Sequence, residues 1–206
     1  MKIALTGGIA CGKSTFAKFL EELGIRVLDA DDVVHELEAP GGRAVPLLVK
    51  RFGPEVLDAQ GGIDRRKLAE MVFTDSGASS ARADLEAILF PLVRERMQAF
   101  VSSAADESAC KYRIASIPLL FESHFDSDYD IIICIASPME VQVDRMMCTR
   151  GYSRAQAEAR LSAQMPVAEK ADRAHFTVIN DKTPQHLRTE ALRLLSWLEE
   201  RTKDEH

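Results

Sequence analysis

Lys13 and Ser14, set behind a run of glycines, are the residues whose types and spacing most directly specify chemistry. Residues 2–15 read Lys-Ile-Ala-Leu-Thr-Gly-Gly-Ile-Ala-Cys-Gly-Lys-Ser-Thr, and Gly7, Gly12, Lys13 and Ser14 complete the pattern G-x-x-x-x-G-K-S. Glycines let the backbone curl until several N–H groups face one anion. A helix opening at the end of the loop adds its positive N-terminal end. In such a loop the lysine reaches the outer phosphates of a nucleotide and the serine hydroxyl holds Mg2+. The spacing therefore predicts a phosphate cradle made by Gly8, Ile9, Ala10, Cys11, Gly12, Lys13, Ser14 and Thr15, with Ser14 as the metal ligand. A second group of chemistry-bearing residues is Asp29-Ala30-Asp31-Asp32. A carboxylate here has two roles open to it: orienting and deprotonating an incoming hydroxyl during phosphoryl transfer, or capping the next helix.

These residues need strands and helices to hold them. Apolar runs at 2–6, 25–29, 112–117, 130–136 and 176–179 read as strands, with helical periodicity between most of them. Strand–helix alternation predicts an α/β fold with a five-stranded parallel sheet flanked by helices. The carboxyl ends of such strands border the ligand crevice, which is where the glycine loop and Asp29 or Asp31 fall. Ser137-Pro138-Met139-Glu140 reads as a helix start, with Ser137 as N-cap. Ser153 with Gln156 reads as a capping box, and Thr183-Pro184 opens a last helix with the face Leu187, Ala191, Leu194, Leu195 and Leu198. Residues 31–109 contain no convincing strand. Leu85, Ile88, Leu89, Leu92, Val93, Met97 and Phe100 form one helical face between small-residue loops at 76–83 and 102–109. A helical insertion is the economical reading. It divides the chain into a nucleotide-binding core, 1–30 and 110–206, and a lobe, 31–109.

Composition narrows the function classes. A formal net charge of -6 argues against non-specific nucleic-acid binding. No apolar run approaches the ~20 residues of a membrane span, and Gly7 and Gly8 interrupt any signal-peptide pattern. The four cysteines, Cys11, Cys110, Cys134 and Cys148, lack C-x-x-C spacing. They read as reduced thiols of a cytoplasmic protein. Asn180-Asp181-Lys182-Thr183 does not match the N-K-x-D of a guanine-reading GTPase, and Asp58-Ala59-Gln60-Gly61 is too short a match to D-x-x-G to weigh.

Taken together, the loop Thr6–Ser14 and Leu28-Asp-Ala-Asp31 closely resemble dephospho-CoA kinases. The resemblance continues through Gly62-Ile63-Asp64-Arg65, Ile88-Leu89-Phe90-Pro91, Pro118-Leu119-Leu120-Phe121-Glu122, Gln142 with Arg145, Gln164 and the turn Val178–Asn180. It spans residues 2 to about 183. It implies a P-loop kinase core, a helical acceptor-binding insertion at 31–109 and a short lid at about 145–165. The substrates it implies are ATP and dephospho-CoA, with Mg2+, without nucleic-acid or membrane partners; a monomer is compatible. The resemblance makes Asp31 the general base, with Asp29 supporting the turn or the metal's water shell. It makes Lys13 a stabiliser of the transferring phosphoryl group, Arg145 and Arg150 lid arginines, and Asn180 a residue near adenine. Four positions depart from the family pattern: Phe90 for a usual His, His35 for Arg, Lys182 for Gly and His175 for Asp. The alternatives are a kinase of another nucleoside or small alcohol, or an ATP-binding regulator without turnover.

Three features are read outside this site. Asp126-Ser127-Asp128-Tyr129-Asp130 reads as an acidic turn, since Ile131 and Ser137 stand where a calcium loop needs Gly and Glu. Trp197 reads as a packed residue of the last helix. Cys11, beside Lys13 among loop N–H groups, reads either as a small filler or as a thiol whose pKa is lowered by an electropositive setting.

Overall fold

A computed structural model describes residues 1–73, 78–103 and 111–204. Cys110 and His206, with parts of the two predicted small-residue loops, lie outside the described residues. The strands are β1 (Ile3–Gly7), β2 (Arg26–Asp29), β3 (Arg113–Ser116), β4 (Ile131–Ala136) and β5 (Phe176–Ile179). They form one five-stranded parallel sheet in the order β2-β3-β1-β4-β5. The register pairs Ile3 with both Ile114 and Ile131, and Ile133 with Phe176. All residues of β1 and β4 are buried, as strands covered on both faces require.

The chain divides into two compact units, Met1–Leu28 with Val101–His206, and Asp29–Phe100. In the first, α1 (Lys13–Glu22) and α9 (Pro184–Asp204) bury Phe16, Leu20, Leu187, Ala191, Leu194 and Leu198 against Ile3, Leu5, Ile133 and Val178. Trp197 is partly buried there, its ring 5.1 Å from that of Phe176. The same unit holds α6 (Met139–Arg150), α7 (Arg154–Ser162) and α8 (Val167–Asp172). Ser153 and Gln156 cap α7 reciprocally, satisfying two of its orphan donors. Ser137 does not cap α6. The N-cap is Pro138, with no side-chain bond, and the Ser137 hydroxyl turns inward to the Asn180 carbonyl at 2.7 Å. Burial of Ser137 gives its hydroxyl a better-satisfied place inside than at the helix end. The acidic turn is a 3-10 turn, Asp126–Asp128; Asp126 pairs with Arg173 at 2.9 Å, and Asp130 accepts the backbone N–H of Lys2 at 2.7 Å.

The second unit holds α2 (Ala30–Glu38), α3 (Val45–Phe52), α4 (Arg65–Phe73) and α5 (Ala78–Ser102). Its described residues contribute only an isolated antiparallel bridge, Leu57 to Ile63, to extended pairing. That bridge closes the turn Asp58–Gly62. The Asp58 carboxylate accepts the N–H groups of Gln60 and Gly62, so the D-x-x-G pattern is an Asx-type turn. Residues 78–83, predicted as loop, belong to α5. Leu89, Val93 and Met97 are its buried stripe. No helix among the described residues is long and apolar enough to cross a membrane.

The core carries a buried thiol with a measurable consequence. Burial pushes Cys134 up to about 12, with Cys11 adding to the shift and Lys170 opposing it. The same thiol unfolded ionises near 9.0. Its raised folded value makes its contribution to stability complete below pH 9.0 and lost as the pH rises toward about 12. A melting-temperature series across that window is expected to fall with pH, and less steeply in Cys134→Ala. Identical slopes would assign the loss to other groups.

Candidate active site

Backbone conformation builds this site before any side chain enters it. Ala10 has φ 58° and Gly12 φ 88°, left-handed values at two nearly adjacent positions. They curl the segment between β1 and α1, and the first N–H groups of α1 lack intrahelical partners. A left-handed non-glycine residue is strained and persists where its surroundings fix it. Here Arg145 of α6 donates from Nη1 to the Ala10 carbonyl at 3.1 Å and to Ser137 Oγ at 3.1 Å. Its Nη2 donates to the Asn180 carbonyl at 3.1 Å. Asn180, buried just after β5, donates from Nδ2 to the Cys11 carbonyl at 2.8 Å. A Cβ on Gly12 would run into that Nδ2, so this position requires glycine for space as well as for φ. Gly8 is equally confined, between Gln142 and the Cys11 sulfur.

Lys13 extends its ammonium to Ser116 Oγ at the end of β3, at 2.6 Å. Ser14 and Thr15 are exposed in the first turn of α1. The Ser14 hydroxyl has no partner among the described residues. No cluster of three or more His, Cys, Asp or Glu side chains that could hold a metal occurs among those residues. One exposed hydroxyl fits Mg2+, an ion that keeps several waters and takes the rest of its ligands from phosphates.

The predicted site residues thus separate. Gly8–Thr15, Arg145 and Asn180 come together around one loop. Arg150 does not join them: it ends α6 exposed, with no partner among the described residues. Arg160 stacks over Tyr152, 4.4 Å from the ring centroid. The two acidic residues after β2 also divide. Asp29 is the N-cap of α2, its Oδ1 accepting the Asp31 N–H at 2.9 Å. Asp31 lies exposed in the first turn, its carboxylate bonded to nothing among the described residues. Glu122 accepts Lys170 Nζ at 2.7 Å and the Met165 N–H at 3.1 Å. Cys11 is the filler of the two readings. It is fully buried, and burial pushes its thiol up, outweighing the lowering by Ser137 and Arg145.

Sequence reasoning did not single out Ser116, Ser137 or Lys170 as parts of this site. Lys170 is wholly buried, donating also to the Pro118 carbonyl at 3.0 Å, yet its sequence context is that of an ordinary polar helix position. Ser137 carried a signal, since a serine after a fully apolar strand sits at the crevice edge, but that signal reads equally as a cap. The loop also borders a cavity of about 710 Å3, edged by Gly8, Ile9, Gln142, Gln164, Met165 and Val167. That volume suits a small organic ligand.

A glycine loop braced in this way after the first strand of a parallel sheet defines a P-loop kinase fold. Solved structures agree: shikimate kinase from Acinetobacter baumannii shares the fold at a TM-score of 0.54 and 16% identity, covering 97% of this chain and 93% of that one. A crystal structure from Thermus thermophilus matches at a TM-score of 0.77 and 32% identity over 96% and 97% of the two chains. Dephospho-CoA kinase from Campylobacter jejuni matches at 0.63 and 28% over 95% of each. The family model for dephospho-CoA kinase matches residues 1–185. The dephospho-CoA kinase of Bdellovibrio bacteriovorus is 39% identical over 96% of both chains, and that of Anaeromyxobacter dehalogenans 41% identical over 94% of this chain and 90% of its own. The chain belongs to the dephospho-CoA kinase family, whose members are ATP-dependent kinases.

Two outcomes follow from the loop geometry. Gly12→Ala is expected to weaken ATP binding at least about tenfold, because an L-residue at this φ alone costs about 1–2 kcal/mol; isothermal titration checks this. Iodoacetamide at neutral pH is expected to label Cys148, which is exposed, and to leave Cys11 unmodified in the folded protein. Mass spectrometry showing Cys11 labelled as fast as Cys148 would contradict the buried, protonated thiol.

Proposed function

We propose that this chain transfers the γ-phosphoryl group of ATP to the 3′-hydroxyl of dephospho-CoA, giving CoA and ADP, with Asp31 as general base. The observation that carries the assignment of the base is the division between the two aspartates. Asp29 is committed to the cap of α2, whereas Asp31 keeps its carboxylate unbonded among the described residues. The loop Gly8–Thr15 would receive the ATP phosphates on its N–H groups. Lys13 would leave Ser116 for the transferring phosphoryl oxygens, drawing off the charge that develops there. Ser14 would ligate Mg2+, which when bound neutralises phosphate charge. Arg145 and Asn180 act from behind the loop, on its carbonyls, which keeps the N–H groups facing the nucleotide. The transfer is direct, since these roles need no covalent enzyme intermediate.

The unit Asp29–Phe100 would bind the acceptor, and the segment around α7, with Arg150 and Arg154 at its approach, would serve as the lid. The substrates are small molecules and the reaction belongs to the cytoplasm. A kinase for another nucleoside or small alcohol would share every feature of the loop, so the acceptor is the point to test. ADP release is measured with ATP and Mg2+ against dephospho-CoA, adenosine, AMP and no acceptor. Release with dephospho-CoA, matched by CoA formation, is expected; release with a different acceptor would reassign the second unit. Asp31→Asn is expected to lower kcat by about 10²–10⁴ while ATP binds nearly unchanged. A variant that keeps full kcat would remove Asp31 from the mechanism.

A further inference from the structure

The cavity of about 710 Å3 beside Gly8 and Ile9 lies on the sheet face opposite α1. Val178 packs on the α1 and α9 side of β5, and side chains alternate along a strand, so Thr177 and Ile179 face the other way. There Thr177 Oγ1 donates to the Ala171 carbonyl of α8 at 3.2 Å, and Ala171 and Ile179 line the cavity. Its walls are mainly apolar. Met139 and Ile179 are large and apolar yet 53% and 47% exposed, and Met165 adds a second thioether. Thioethers make favourable, adaptable contacts with aromatic rings. Two polar groups on the wall lack partners among the described residues, and both are acceptors. Gln142 is 3% exposed; its Nε2 donates to the Ser137 carbonyl at 2.9 Å, while its Oε1 is buried against Gly8 without a donor. A buried acceptor in that state is costly until a donor reaches it. Asp172 is exposed, its carboxylate is unpaired, and it is the one charged side chain among the described residues lining the cavity. A phosphate brought there would give up its hydration to face a carboxylate.

We propose that this cavity is a binding site for an aromatic amine, apart from the nucleotide loop. The ring lies on the apolar wall with Met139, Met165 and Ile179, an N–H group is given to Gln142 Oε1, and the positive charge is directed to Asp172. The chemistry is the opposite of that of the phosphate loop: acceptors in place of donors, and a negative charge in place of Lys13. Gly8 and Ile9 belong to both, so the ligand touches the loop on the side turned away from α1.

Four probes with one ring system test this: tryptamine, 1-methyltryptamine without the ring N–H, uncharged indole and anionic indole-3-propionate. Each is titrated by ligand-observed NMR into the wild-type chain, Asp172→Asn and Ala171→Phe. Tryptamine is expected to bind with a Kd of about 1 mM or tighter. It is expected to exceed indole-3-propionate by about fivefold or more, and 1-methyltryptamine by about threefold or more. Asp172→Asn should remove the preference for the cation and change indole less than about twofold. Ala171→Phe, which fills the space, should weaken all four by about tenfold or more. Asp172 is exposed, so its replacement keeps the test decisive even where thermal melts show that Ala171→Phe does not fold. Tryptamine should stay bound under saturating ATP with Mg2+, and under dephospho-CoA. No binding of tryptamine, equal affinity for the four probes, a charge preference that survives Asp172→Asn, or displacement by either substrate would overturn the site, the last by assigning the cavity to the substrate cleft. These readouts do not depend on which acceptor the chain phosphorylates.

Discussion

The constraint on which the structure depends is electrostatic: a loop that binds phosphate through its N–H groups must turn its carbonyl oxygens elsewhere. Each peptide unit that aims its N–H at an anion aims its C=O the opposite way, and an unsatisfied buried carbonyl is costly. Two consecutive carbonyls of this loop are taken from behind, Ala10 by Arg145 and Cys11 by Asn180. Those donors come from the middle of α6 and from the turn after β5, and the Ser137 hydroxyl and the Asn180 carbonyl tie them together. The pairing of β4 with β5, Ile135 to Val178 and Ala136 to Ile179, sets that spacing. The sheet order is therefore part of the site's chemistry. Without β4 and β5 side by side behind β1's loop, the left-handed turn at Ala10 would have nothing to hold it.

Arg145, expected by resemblance as a lid arginine, makes its contacts to the loop side of the sheet. As a lid arginine it would reach phosphate directly. In this structure its guanidinium is engaged by three oxygens, the Ala10 and Asn180 carbonyls and Ser137 Oγ. The pair Asp29 and Asp31 is the parallel case. Both are acidic, both follow a strand, and helix capping consumes one of them. An aspartate in the first turn of a helix is favoured by the positive helix end, and the Asp31 carboxylate there is bonded to nothing among the described residues.

The fold was legible because its signals are local. Five apolar runs become five strands shifted by a residue or so, and the capping box at Ser153 and the face of α9 are where periodicity puts them. The phosphate loop was legible because its glycines answer to backbone geometry that sequence records directly. What could not be read is what depends on contacts far apart in the chain. Ser116 meets Lys13 across 103 residues, and Asn180 meets Cys11 across 169. Ser137 looked like a cap because the cap and the inward bond use the same hydroxyl. Cys11 was open to two readings because Lys13 is its near neighbour in sequence, whereas its spatial neighbours bury it, and desolvation dominates.

The Lys170–Glu122 pair completes the argument about what holds the loop's surroundings. An apolar pair at these positions would avoid desolvating two charges and would serve stability as well. What it would not supply is direction. Lys170 fixes the Pro118 carbonyl, which also accepts from Thr6 Oγ1 of β1 at 3.3 Å. Glu122 takes the Met165 N–H at the point where the segment carrying α7 returns to the core. One ion pair thereby joins the strand that enters the phosphate loop, the turn after β3 and the near end of that segment. The far end is set by Gly151, whose left-handed φ of 66° ends α6. The segment between these two ends carries α7, which its own capping box at Ser153 and Gln156 closes.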